Sequence, residues 1–290
     1  MTVEKSSKLD LLHRDLERLK DLPSAPRVVL EIWSVLGDAD ASVRALSVVV
    51  ERDPALSAKI LKLANSAYFG LPRPVRDVRT ACVVLGFSTI ESLAVGVTAL
   101  DALSRAVSAD FDLDGFWVHS VATAIAAEHL ARRLGLPEPG VAFCGGIVHD
   151  VGKLVLATLS PARYRRVLTE QLDTPLRERE SSEFGADHTE VGAWLTSRWR
   201  FPPELVQIVR GHHEPDGEEG GGWAVLVAAA DAIATNAGWP CPGVTHGRPI
   251  SDFAGGPTLA IPAEVLEDVQ RALPEETARI DSFLAAARAT

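Results

Sequence analysis

Four histidine positions and two aspartates are the side chains of this chain best suited to hold a metal. They are His119, His149 beside Asp150, His188, the doublet His212-His213 read as one ligand position, and Asp231. They fall at helix ends and in apolar stretches, where ionisable groups are normally avoided. Asp231 carries the most weight, because it interrupts AVLVAAADAIAT at 224–235, a run apolar on almost every side of a helix. A buried carboxylate costs several kcal/mol unless it is paired or bound to a cation. Imidazole nitrogens together with carboxylate oxygens suit Zn, Fe or Mn, as one ion or two. His119, His149, Asp150 and Asp231 suffice for one ion with positions left for water. His188 and one member of the doublet provide for a second, and Asp150 can bridge. Such a divalent-metal centre points to metal-assisted hydrolysis of a phosphoester. No Walker loop, G-x-G-x-x-G or G-x-S-x-G motif offers a competing chemistry.

Each residue also has an ordinary reading. Adjacent helical residues such as His149 and Asp150 diverge by about 100°, yet their unequal lengths can let both reach one ion from a helix end. Lys153 lies one turn beyond His149; it either meets a phosphate oxygen at the metal or is a solvated charge. His119 follows FWV and precedes VATAIAAEHL, so it could equally be a core histidine bonded to a carbonyl. His188 could be only a surface residue in the first turn of a helix, though the dipole there disfavours its protonated form and keeps it fit to ligate. Of His212 and His213, one faces the site and the other is exposed or behind it. His13, His129 and His246 lack comparable context and read as surface residues.

The elements that must position these groups read as helices throughout. Leu9, Leu12, Leu16 and Leu19 form a stripe on a charged helix over 8–20, broken by Leu22-Pro23. A second helix runs from about 26 to Gly37. Asp53-Pro54 opens another, Asp capping the free N–H groups and Pro tolerating the first turn. Further helices are predicted over 77–85, 88–104, 114–134 and 138–156, the last carrying HDVGK. Others follow Ser160-Pro161, span 175–183, and start at Asp187, where D-x-x-E forms a capping pattern. Pro202-Pro203 opens the helix that reaches His212. After a loop at 217–222 come the helix bearing Asp231 (223–237), an irregular Gly/Pro-rich stretch (238–258), and a terminal helix over 262–288. Alternating strand patterns are absent, so the class is all-α. Two lobes are expected, 21–109 and 110–236, with extensions at 1–20 and 237–290.

Bulk composition narrows the partners. The chain has 290 residues, 47% of them hydrophobic, and a formal charge of −10. That length supports a sizeable core, and that charge disfavours binding nucleic acid through bulk phosphate attraction. The charged N-terminus lacks an export signal core, and no run is expected to approach the roughly 18 apolar residues that a membrane span needs. Cys82, Cys144 and Cys241 are sparse and unpaired in sequence, which suggests reduced thiols in a cytoplasmic protein.

The spacing His119, His149-Asp150, Asp231 resembles that of the HD phosphohydrolase superfamily. Over about 21–236 the chain more specifically resembles the HDOD domain, the HD-related output domain of bacterial signalling proteins. The likeness rests on LPSAPRVVLEIW (22–33), DPALSAKILKLANSAYFG (53–70), Ala81 to Gly86, FWVHS (116–120), GGIVHDVGKLVL (145–156), FGADHTEVGAWL (184–195), W-x-x-P-P (199–203) and GHHEP (211–215). It implies two packed helical lobes and a regulatory role through a signalling protein partner or a small phosphorylated ligand. It differs from the HD-GYP phosphodiesterases after the doublet, where HHEPDGEEGGG replaces their Gly-Tyr-Pro segment. The alternative is a metal-dependent phosphohydrolase acting on a nucleotide or other phosphoester, with Asp150 helping to deliver water and Lys153 steadying the phosphate. A third reading leaves the ligand set as vestigial filling of a polar cleft. The NSAYFG turn (65–70) either meets a partner or packs between the lobes.

Overall fold

The computed structural model describes residues 27–36, 42–67, 69–170, 173–214 and 221–288. The expected helices over 8–20, the side chain of Tyr68 and most of the loop at 217–222 lie outside the described residues. The chain is all-α, 71% helical, and no strand occurs among the described residues. The N-terminal lobe holds α1 (Arg27–Leu36), α2 (Val43–Glu51), α3 (Pro54–Ala64), α4 (Val78–Leu85) and α5 (Phe87–Ser104). The second lobe holds α6 (Leu113–Arg133), α7 (Pro139–Val148), α8 (Val151–Leu159), α9 (Pro161–Thr169), α10 (Leu176–Phe184), α11 (His188–Arg198), α12 (Pro203–Gly211) and α13 (Gly222–Asn236). A 3-10 turn at Ile250–Phe253, α14 (Ala263–Ala272), a second 3-10 turn at Leu273–Glu276 and α15 (Thr277–Arg288) follow.

Local chemistry starts several of these helices. Asp53 Oδ1 accepts from Ala55 N and Leu56 N, both at 3.0 Å, with Pro54 behind it. Asp112 caps α6 through Gly115 N at 2.9 Å, and Asp187 with Glu190 closes the expected capping box on α11. Helix α2 was not anticipated, because the β-branched run of VRALSVVVE favours strands. It forms because Leu46, Val49 and Val50 share one buried face and Ser42 caps the start. Asn65, at the end of α3, brackets the backbone of Val75 with two hydrogen bonds (2.7 and 2.8 Å) and so pins the Pro-rich connector. Phe69 packs partly buried against the core.

Helix α6 is the spine of the second lobe, buried along most of its length, with α7 and α13 against it. Helix α5 packs on α7 and α8 and so joins the lobes. Helix α15 touches both α3 and α6, and its Ser282 Oγ accepts from Ala67 N at 3.0 Å. The expected single helix over 262–288 is interrupted at Leu273–Glu276, where Pro274 removes a backbone donor.

The expected helix over 138–156 is also broken. α7 ends at Val148 and α8 begins at Val151, leaving His149 and Asp150 in the turn between them. Gly152 is why α8 can turn towards α11. A Cβ there would overlap the His188 carbonyl, and the Gly192 amide lies close behind. By length and apolar composition alone, Pro139–Leu159 could cross a membrane, a stretch the sequence reading passed over. In the fold it is 94% buried, as the core of the second lobe.

Candidate metal centre

The turn between α7 and α8 is the middle of the site. His149 N still bonds to Gly145 O at 2.8 Å, so the turn is tight and both side chains leave it towards the lobe's interior. His119 reaches in from α6, His188 from the first turn of α11, His212 and His213 from the end of α12, and Asp231 from α13. All six anticipated positions converge, so Asp231 is not a stray buried charge.

Asp150 divides the cluster. On one side, His149 Nε2 lies 3.3 Å and His119 Nε2 3.7 Å from Asp150 Oδ2. His119 Nε2 is also 3.3 Å from Asp231 Oδ1 and 3.3 Å from His149 Nε2. On the other side, His188 Nε2 is 3.3 Å and His212 Nε2 3.7 Å from Asp150 Oδ1. His213 Nε2 completes that side at 3.1 Å from His188 Nε2. Both members of the doublet therefore face the cluster, which corrects the expectation that one of them does. Their rings sit 4.3 Å apart between centroids, close enough that a turn just past the helix end aims both inward.

The tautomers follow from the partners. A carbonyl only accepts, so each Nδ1 bonded to one must carry the proton and leave Nε2 with a lone pair. His119 Nδ1 donates to Trp239 O (2.8 Å), His149 Nδ1 to Gly146 O (2.8 Å), and His212 Nδ1 to Val209 O (3.0 Å). His188 Nδ1 instead meets the Glu180 carboxylate at 2.5 Å. The commonplace reading of His119, a core histidine bonded to a carbonyl, is thus correct for one of its nitrogens. The other points into the cluster.

Lys153 is not the solvated charge that was one of its two readings. Its side chain is 2% exposed and its ammonium lies 2.6 Å from Asp150 Oδ2. Burial works against both charges, but Lys153, followed by His149, holds the Asp150 carboxyl well below the usual carboxylate range. Burial likewise opposes ionisation of Asp231, and its imidazole neighbours, His119 first, outweigh it and hold the carboxyl below the usual range. Burial pushes His212 down to about 4 and lowers His213 well below the usual imidazole value, so both are neutral near pH 7. In His149 the proximity of Asp150 overcomes burial and raises the imidazole.

Several contributors escaped the sequence reading. Glu180, fully buried on α10, holds His188; Tyr164 Oη donates to its other oxygen at 2.7 Å. The signal was present, since Leu176, Glu180 and Phe184 recur every four residues and bury one face of a helix that reads as merely charged. The Trp239 carbonyl, in the irregular stretch after α13, left no signal at all. Arg177 ties Asp187 (2.6 Å) to Glu214 (2.8 Å), bracing the cap beneath His188 against the doublet. His129 is not a surface residue: it is mostly buried and faces Glu276 at 3.8 Å. His246 is exposed, and His13 lies outside the described residues. All three cysteines are buried and none forms a disulfide.

A two-lobed helical body thus surrounds a buried His/Asp cluster with an adjacent His-Asp pair at its centre. The chain belongs to the HDOD domain family, whose model matches residues 22–215. Asp231 and Trp239 lie beyond that match. An HDOD domain protein of Geobacter sulfurreducens shares the fold, with a TM-score of 0.81 at 22% identity, over 96% of this chain and 98% of that one. A Shewanella amazonensis protein named as a candidate phosphohydrolase aligns with a TM-score of 0.74 at 26% identity, over 94% and 97% of the two chains. A Marinobacter aquaeolei protein named as a candidate signal-transduction protein gives 0.73 at 26%, over 98% of this chain and 65% of that one. A Treponema pallidum relative is 26% identical over 201 residues, which cover 68% of this chain and 38% of the relative's length.

Proposed function

We propose that this chain is a bacterial, cytoplasmic signal-transduction protein in which the second lobe holds a divalent-metal centre and the first meets a protein partner. One observation carries the metal centre: with the imidazoles neutral, the buried groups at the middle of the cluster accept, and Lys153 is the donor among them. His119, His149, His188 and His212 commit Nδ1–H elsewhere and turn Nε2 lone pairs on one another and on Asp150. Asp150 Oδ1 and His212 Nε2 are buried with no hydrogen-bond partner. Such a collection of acceptors is costly in a dry interior unless cations sit among them.

The residues fit two ions of Fe, Mn or Zn. His119, His149 and Asp231 with Asp150 Oδ2 would hold one; His188, His212 and His213 with Asp150 Oδ1 would hold the other. When bound, such ions supply Lewis-acid polarisation of a phosphoryl oxygen. The chain's own residues do the positioning: Lys153 keeps Asp150 ionised, and the backbone carbonyls fix three tautomers.

The partner reading draws on the first lobe. Leu30, Val48, Val83 and Val84 are the large hydrophobic side chains exposed among the described residues, and all four stand on α1, α2 and α4. Exposed apolar groups gathered on one lobe mark interaction surfaces.

A second reading, a metal-dependent phosphohydrolase of nucleotides or other phosphoesters, is favoured by the opening of the site. The Asp231 side chain is 23% exposed and His213 is partly exposed, so a ligand could reach the cluster there. The test is protein purified without chelator or affinity-tag metal, analysed for metal and then assayed against a nucleotide and phosphoester panel beside Asp150→Ala. Bound metal without turnover is expected. Turnover abolished by Asp150→Ala would replace the signalling reading with the enzymatic one, and a metal-free chain that resists reconstitution would remove the metal centre and the enzymatic reading and leave only the partner-binding role.

A further inference from the structure

We infer that Glu180 is a positioning residue that sets the affinity of the second ion, the one held on the His188 side of Asp150. The inference rests on the metal centre proposed above. Among the imidazoles with an assigned Nδ1 partner, three are held by neutral backbone carbonyls, those of Trp239, Gly146 and Val209. His188 alone is held by a carboxylate, at 2.5 Å. Glu180 is itself fixed from three directions, accepting from Tyr164 Oη (2.7 Å), from His188 N (3.0 Å) and from His188 Nδ1. It cannot swing away, and at 0% exposure it is a carboxylate buried at considerable cost.

The charges explain why that cost falls there. The side holding His119 and His149 has two carboxylates, Asp231 and its share of Asp150. The side holding His188, His212 and His213 has three imidazoles and only the other oxygen of Asp150. Glu180 supplies the missing negative charge one hydrogen bond behind a ligand. A carboxylate in that place raises the basicity of the imidazole, fixes its ring plane, and favours a cation at Nε2. Removing such a group typically weakens metal binding by about 10–100-fold.

The experiment titrates Mn²⁺ into metal-free full-length protein and measures the uptake of each ion for the wild type, Glu180→Gln and Tyr164→Phe. The wild type should take up two ions. Glu180→Gln should keep the first with wild-type affinity and bind the second roughly 10–100-fold more weakly. Tyr164→Phe removes a donor and leaves the carboxylate, so it should lower the melting temperature yet keep both ions. If Glu180→Gln does not fold, Glu180→Asp, which keeps the charge but falls short of His188 Nδ1, takes its place and should likewise weaken the second ion while keeping the first. Wild-type affinity for both ions in Glu180→Gln would overturn the inference and leave the metal centre standing. Loss of the second ion in Tyr164→Phe would overturn it in favour of a packing effect. A wild type that takes up no Mn²⁺ would remove the metal centre and this inference together.

Discussion

Lys153 Nζ and Asp150 Oδ2 meet at 2.6 Å with both side chains 2% exposed, directly beneath the opposing imidazoles of the cluster. The pair reconciles a buried aspartate at a bridging position with the low dielectric around it. Breaking a buried pair from one side leaves the other charge uncompensated and costs about 3–5 kcal/mol. Lys153→Met should therefore destabilise the metal-free protein by roughly that amount. Saturating divalent metal should recover much of the loss, since a cation beside Asp150 replaces the ammonium. Denaturant unfolding with and without Mn²⁺ checks this; equal losses in both states would show that Lys153 matters for packing alone.

The doublet gives the metal-free protein a defined response to acid. Burial holds His212 at about 4 in the fold, whereas an unfolded chain titrates near 6.5. As pH falls from about 6.5 to about 4, the unfolded chain takes up a proton that the fold refuses. Stability should drop across that window by roughly 3 kcal/mol from His212 alone. His213 acts in the same direction. His149 opposes them: Asp150 raises it against burial, so its contribution is present below about 6.5 and is lost as pH rises through its folded value. Two groups outweigh one, and the urea midpoint of the metal-free protein should be lower at pH 4.5 than at pH 7. A midpoint that rises on acidification would contradict the burial assigned to the doublet.

Gly152 permits the backbone contact that brings Asp150 to His188. A methyl group there would overlap the His188 carbonyl, so Gly152→Ala should push α8 from α11. Overpacking of this kind costs about 1–3 kcal/mol, occasionally more. The spread should act unequally on the cluster, weakening uptake on the His188 side before the His119 side. Stepwise metal titration reads this directly; equal weakening on both sides would mean that the two helices move as one body.

Much of this architecture was legible in the sequence because its signals are local. Asp53-Pro54 and the Asp187–Glu190 box start helices by satisfying amides within three residues of themselves, and a reader sees that chemistry without the fold. Asp231 was legible for the opposite reason, being out of place in an apolar helix. What stayed hidden depends on distant contacts. The break at His149-Asp150 follows from Gly152 meeting α11, not from any helix-stopping residue in the apolar run. The inward aim of both His212 and His213 depends on how α12 ends against α11. The carbonyl of Trp239 is a backbone group that any residue could provide, so no side chain announces it. Glu180 stood between these cases: its period-four neighbours marked a buried face, but four charged residues around it on α10 masked the pattern.

Asp150 stands between the two proposed ion positions, and electron paramagnetic resonance of the Mn²⁺-loaded protein tests that placement most directly. Two ions sharing one carboxylate should give an exchange-coupled signal at two equivalents, and Asp150→Ala should abolish it. A single uncoupled six-line spectrum at every loading would contradict the account, because the histidines on the two sides of Asp150 would then not form one centre.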